Sequence, residues 1–250
     1  MPRYFLEVAY KGTAYSGFQV QENANSVQAE IENAFAIYFR EKIQMTGSSR
    51  TDAGVHALQN FFHFDFPLSI DSSALYSINS ILPDDIVAKQ LYTANDESHC
   101  RFDATYREYQ YSIYKEKDPF LRGIAHYFPY TLDMEKLREA AAVIMRYTDF
   151  TTFSKRNTQT KTFLCAIMKS EWLKKDNCYT YHVKANRFLR GMVRGLVGTM
   201  LQVGRGKINI NEFAAIIESR DCTQADFSVP AHGLFLLVVN YPDGMLSLIK

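Results

Sequence analysis

Apolar and polar residues alternate along the first strand-like stretch, with Tyr4, Leu6, Val8 and Tyr10 on one side and Phe5, Glu7 and Ala9 on the other. That two-residue period predicts a half-buried β-strand. Lys11-Gly12-Thr13 then turns into a loop running through Gly17-Phe18-Gln19. Asn25-Ser26-Val27-Gln28 reads as a capping box, and Val27, Ile31, Phe35 and Tyr38 follow at helical spacing. A short strand is expected near Ile43 and a longer one from about Leu58, with Phe62, Phe64 and Phe66 facing away from Phe61, His63 and Asp65. A helix over about 72–80, a break at Pro83-Asp84-Asp85 and a strand over about 86–91 complete the first half. The order β-α-β-β-α-β is the split βαβ arrangement of ferredoxin-like units.

The second half repeats this order. Tyr109, Tyr111 and Ile113 line one face of a strand and Tyr114 the other; Tyr111 suits the core and Tyr109 is open to either role. A helix over about 133–146 carries an apolar stripe of Leu137, Ala141 and Ile144. Alternating runs over 163–172 and 179–185 follow, then an apolar helix over about 188–202, a short helix over 211–219 and a last strand over 234–241. The pattern predicts an α+β protein of two ferredoxin-like halves, residues 1–103 and 104–250, with a central cleft between them.

Composition adds limits. Hydrophobic residues make up 47% and charged ones 22%, enough apolar side chains to bury a core. Met1-Pro2-Arg3-Tyr4 leads straight into the first strand with no apolar leader, and the longest stretch free of Asp, Glu, Lys and Arg, Phe227–Pro242, is too short to span a membrane. Cys100, Cys165, Cys178 and Cys222 are far apart and the histidines scattered, so neither a disulfide scaffold nor a metal site is readable. A reducing cytoplasm is the expected location. The net charge of +1 conceals an asymmetry: Asp65–Asp103 holds seven acids and two bases, whereas Ser154–Asn211 holds twelve bases and two acids. A basic C-terminal half points to a polyanionic partner as readily as to a solvated surface.

Candidate chemistry concentrates in three places. Gly47-Ser48-Ser49-Arg50-Thr51-Asp52-Ala53-Gly54-Val55-His56-Ala57 sets a cation, three hydroxyls and a carboxylate between glycines. Asp52 there suits a turn that caps itself or a carboxylate that reacts. Arg101 to Tyr111 interleaves Arg107 and neighbouring charges with tyrosines, the chemistry of stacking on an unpaired base while holding phosphates. Phe188 to Gly198 sets Arg190 and Arg194 four apart, on one face of a glycine-lined apolar helix. Arg194 must therefore reach water or meet an acid.

Together these three segments resemble the tRNA pseudouridine synthase A family. Arg50 to His56 matches its Arg-Thr-Asp-Ala-Gly-Val-His signature, and Ala104–Tyr111 and Phe188–Gly198 match its Ala-x-x-Arg-x-Tyr-x-Tyr strand and Met-Val-Arg-x-x-x-Gly helix. Gly17-Phe18-Gln19, Ser26-Val27-Gln28, Leu82–Ile86, Asp149–Phe153 and Pro230–Leu234 also match, so the resemblance runs from the first strand to the last. Phe18 stands where the family usually has Trp, and Ser49 where a Gly often precedes the Arg. The resemblance implies a pseudouridine synthase fold with a mixed, largely antiparallel sheet. It implies isomerisation of uridine in the tRNA anticodon stem-loop, at positions 38–40, with no cofactor and no metal. Asp52 would be the catalytic carboxylate, either attacking C1′ or promoting loss of the 2′ proton to give a glycal. Arg50 would fill the gap left by the flipped base, Tyr109 would stack on the uracil and assist proton removal from C5, and Arg194 would pair with Asp52, keeping it ionised and oriented. Arg107 and Arg190 would contact RNA, and two chains would form a homodimer crossed by one tRNA.

Overall fold

A computed structural model describes residues 1–156 and 160–249. The chain folds as two compact units, one formed by Met1–Thr105 with Leu236–Lys250 and the other by Tyr106–Phe235.

The first unit follows the expected order: β1 (Arg3–Tyr10), α1 (Val27–Phe39), β2 (Thr46–Gly47), β3 (His56–Asp65), α2 (Ala74–Ile81) and β4 (Ile86–Ala94). β1 lies between two antiparallel neighbours, pairing Phe5 with His63 of β3 and with Tyr92 of β4. Helix α1 starts at Ser26, whose hydroxyl accepts the Ala29 N–H at 3.3 Å. The expected box with Gln28 does not form, because the Gln28 amide instead donates to Glu32 and to Met45 O. Phe35 and Phe39 of α1 meet Phe64 and Phe66. The other face of the sheet is covered too, since Phe5 and Phe61 meet Tyr241 edge-on. With both faces covered, His63 is buried opposite the phenylalanines, and simple alternation understates this strand. The short strand expected near Ile43 is β2 and begins at Thr46.

The second unit contains β5 (Tyr106–Tyr114), β6 (His126–Tyr127), α3 (Met134–Ile144), β7 (Ile167–Lys175), β8 (Cys178–Ala185), α4 (Met192–Gly204) and α5 (Ile210–Glu218). β8 pairs antiparallel with β5 and β7, setting Tyr181 beside Tyr111 and Trp172. Trp172, 1% exposed, donates from Nε1 to Met200 Sδ of α4. Asp133 caps α3, and Asn209 with Glu212 closes a capping box on α5. The run expected from Phe163 becomes a strand only at Ile167; before it Leu164 bridges to Asp149.

The chain ends with β9 (Leu234–Asn240) and β10 (Ser247–Leu248), the latter pairing with β4. Tyr241 ties this return into the first unit by donating its hydroxyl to Cys100 O at 2.6 Å.

Candidate active-site loop and the residues that frame it

The Gly47–Ala57 loop joins β2 to β3, and its walls are pinned from below. Asn60, 0% exposed, holds both backbone groups of Ser49: its Oδ1 accepts the Ser49 N–H at 3.2 Å and its Nδ2 donates to Ser49 O at 2.9 Å. The same amide nitrogen donates to the Tyr10 hydroxyl at 3.2 Å, and that hydroxyl is 2.7 Å from Thr51 Oγ1. On the other side the Phe18 N–H donates to Thr51 O, and the Val55 N–H closes a turn onto Asp52 O. His56, 1% exposed, accepts the Gly12 N–H at Nδ1. It is a latch on the neighbouring loop.

Two glycines are required by this contact. A Cβ on Gly12 would lie 2.0 Å from Val55 O, and one on Gly47 would lie 2.1 Å from the Phe18 ring. Phe18 stacks on Phe62 with centroids 4.7 Å apart, filling the place where the family usually has Trp. Gly54 takes a φ of 79°, a left-handed conformation that favours glycine. The backbone is thus fixed by buried bonds, while Arg50 is exposed and Asp52 half-buried at the surface of the loop. Preorganisation of this kind sets a carboxylate in place before substrate arrives.

In the second unit, Tyr109 lies on β5 with its ring edge-on to Phe188 at 4.9 Å. Arg107 on the same strand is buried, at 8% exposure. Arg194 lies in the first turn of α4, where its Nε donates to Val229 O at 2.8 Å and its Nη2 to Phe227 O at 3.4 Å. Tyr111, fully buried, donates its hydroxyl to Pro230 O at 2.7 Å, and burial pushes that phenol well above its ordinary pKa. The segment 227–230 is thereby held at three carbonyls by one arginine and one tyrosine.

The helix expected over 188–202 begins only at Met192, because Gly191 takes a left-handed φ of 77°. Arg190 therefore sits in the turn before the helix, and the expected shared face with Arg194 does not exist. Its carbonyl accepts the Lys155 N–H at 3.0 Å, which places Arg190 beside Lys155. Asn60, Tyr10 and Gly12 escaped sequence reasoning. The one available signal was Asn60 itself, an amide inside an otherwise apolar strand.

A family profile described as tRNA pseudouridine synthase matches residues 7–107 and 147–242, which include the loop, the first two residues of β5, α4 and the 227–230 segment. The chain belongs to the tRNA pseudouridine synthase family. A tRNA pseudouridine synthase A from Bacteroides fragilis is 43% identical over 244 residues, covering 96% of each chain. One from Parabacteroides distasonis is 42% identical over 245 residues, covering 97% of each. A more distant one from Staphylococcus aureus is 37% identical over 237 residues, covering 94% of this chain and 89% of that protein. Among the described residues no helix is long and apolar enough to cross a membrane.

Proposed function

We propose that the protein isomerises uridine to pseudouridine in tRNA, with Asp52 as the reacting carboxylate. The supporting observation is the family match, with relatives aligned over 96–97% of the chain, together with an Arg50–His56 signature whose backbone is pinned by buried hydrogen bonds. The reaction breaks the N1–C1′ bond, turns the uracil and joins C5 to C1′. C5 gives up its proton and N1 gains one, so no cofactor is consumed. A carboxylate at C1′ stabilises or bonds to the oxocarbenium-like state, as in glycoside chemistry. The base must leave its stack before the sugar can be reached, and exposed Arg50 is suited to occupy the gap.

Tyr109, braced by Phe188, is the proposed stacking ring for the uracil, and Arg194 the cation that keeps the carboxylate ionised. Both belong to the C-terminal half, and its basic residues Lys155, Arg156 and Arg190 are proposed to hold the phosphates. Arg107 is buried, which suits support of β5 better than an open phosphate contact. The anticodon stem-loop as target, a homodimer and a cytoplasmic location complete the proposal, on the resemblance of the signature and the wide spacing of the four cysteines.

Asp52→Asn tests the central claim. Pseudouridine formation on tRNA transcripts is expected to fall by about 10²–10⁴-fold or more, the range for a positioned acid–base group, with tRNA affinity retained. Full activity in this variant would refute it and favour a protein that only binds RNA. Mapping pseudouridines in tRNA from cells lacking the protein tests the anticodon assignment.

A further inference from the structure

Three metal-ligating side chains that are separated in sequence meet in the first unit. His63 comes from β3, and His99 and Cys100 from the turn after β4. Their ligand atoms all lie within 4.8 Å of one another. His63 Nδ1 and Cys100 Sγ are 3.1 Å apart, and the two imidazole centroids 4.6 Å. His63 and Cys100 are buried at 7% and 0% exposure, whereas His99 is half-buried and offers a route from solvent.

Hydrogen bonds fix which nitrogens carry lone pairs. The Cys100 N–H donates to His63 Nδ1 at 3.3 Å, a long bond, so this nitrogen carries the lone pair and lies 3.1 Å from the Cys100 sulfur. The Arg101 N–H donates to His99 Nδ1 at 3.1 Å, so in the neutral ring Nδ1 carries the lone pair and Nε2 the proton, and ligation through Nδ1 exchanges this hydrogen bond for the ion. The Cys100 thiol also donates to Thr46 O, 3.1 Å away.

A tetrahedral zinc ion, with Zn–N of about 2.0 Å and Zn–S of about 2.3 Å, sets nitrogen and sulfur about 3.5 Å apart. The His63–Cys100 pair is within a few tenths of an ångström of that spacing. Rotation of the half-buried His99 side chain closes the widest gap. We propose that His63, His99 and Cys100 form a site for one thiophilic transition-metal ion, with Zn²⁺ as its reference occupant and the fourth position left to water or Thr46 O. Coordination exchanges the Cys100 thiol proton, released to solvent, for the ion, and two neutral imidazoles complete the soft donor set. No step of uridine isomerisation passes through it. Thr46 opens β2, the strand that enters the Asp52 loop, so an occupied site stiffens the root of that loop.

The test uses tag-free, full-length, metal-stripped protein titrated with Co²⁺ and, in competition with a chromogenic chelator, with Zn²⁺. One ion per chain is expected, with a sulfur-to-cobalt charge-transfer band that disappears in Cys100→Ser. His99→Ala, at a half-buried position, should keep its fold by circular dichroism. It should bind more weakly than wild type by over the roughly 10- to 100-fold that loss of a supporting partner costs. Absence of saturable one-to-one binding to wild type, or equal binding by both folded variants, overturns the proposal.

Discussion

Replacing Asn60 by leucine keeps roughly the side-chain size and removes four hydrogen bonds at once. Ser49 loses a partner for its N–H and for its carbonyl, the Phe61 N–H loses its 2.9 Å acceptor, and the Tyr10 hydroxyl keeps only Thr51 of these two contacts. All lie at a fully buried position. Each buried polar group deprived of its partner costs about 1–3 kcal/mol. Three such backbone groups, less what local relaxation and water entry recover, amount to about 3–5 kcal/mol, a large share of the roughly 5–15 kcal/mol of a typical domain. Tyr10→Phe removes only the hydroxyl and should cost about 1–2 kcal/mol. Urea denaturation followed by circular dichroism measures both. The functional readout is turnover of tRNA by the folded Tyr10→Phe protein, expected to fall as the loop loosens while tRNA affinity holds. A cost below about 1 kcal/mol for Asn60→Leu would refute the view that this amide holds the loop.

Other consequences are equally specific. Gly12→Ala forces a Cβ against Val55 O and should destabilise the protein by about 1–3 kcal/mol or more, seen as a lower melting temperature. His63 and His126 are both pushed down to about 4, mainly by burial, so the unfolded chain binds more protons below its ordinary histidine pKa. Stability should be level above pH of about 6.5, fall as pH drops towards about 4, and stop falling from this cause below that. His126 Nδ1 has no hydrogen-bond partner among the described residues, so His126→Phe should flatten part of that slope in melting curves taken across pH. Arg190→Ala should weaken tRNA binding and reduce the slope of log affinity against log salt by about 1, with melting unchanged; an unaltered slope would remove Arg190 from the RNA contacts.

The sequence by itself determined most of the elements and the chemistry of the loop. Period-two runs placed β1, β3, β5 and β8, helical stripes placed α1 and α3, and the unbroken Arg50–His56 run marked the family, because these signals are local. What only the tertiary structure decided was less local. Whether α4 starts at Phe188 or Met192 depends on the left-handed Gly191 beside Lys155, and this moved Arg190 off the helix. The loop's rigidity comes from Asn60, Tyr10 and Gly12, three residues that only sheet pairing and loop contact bring beneath Asp52's segment. Histidines that look scattered along the chain include two that meet Cys100 once β3 and the turn after β4 fold together. Periodicity reports which face of an element is buried; it carries no information on which distant residue will share that burial.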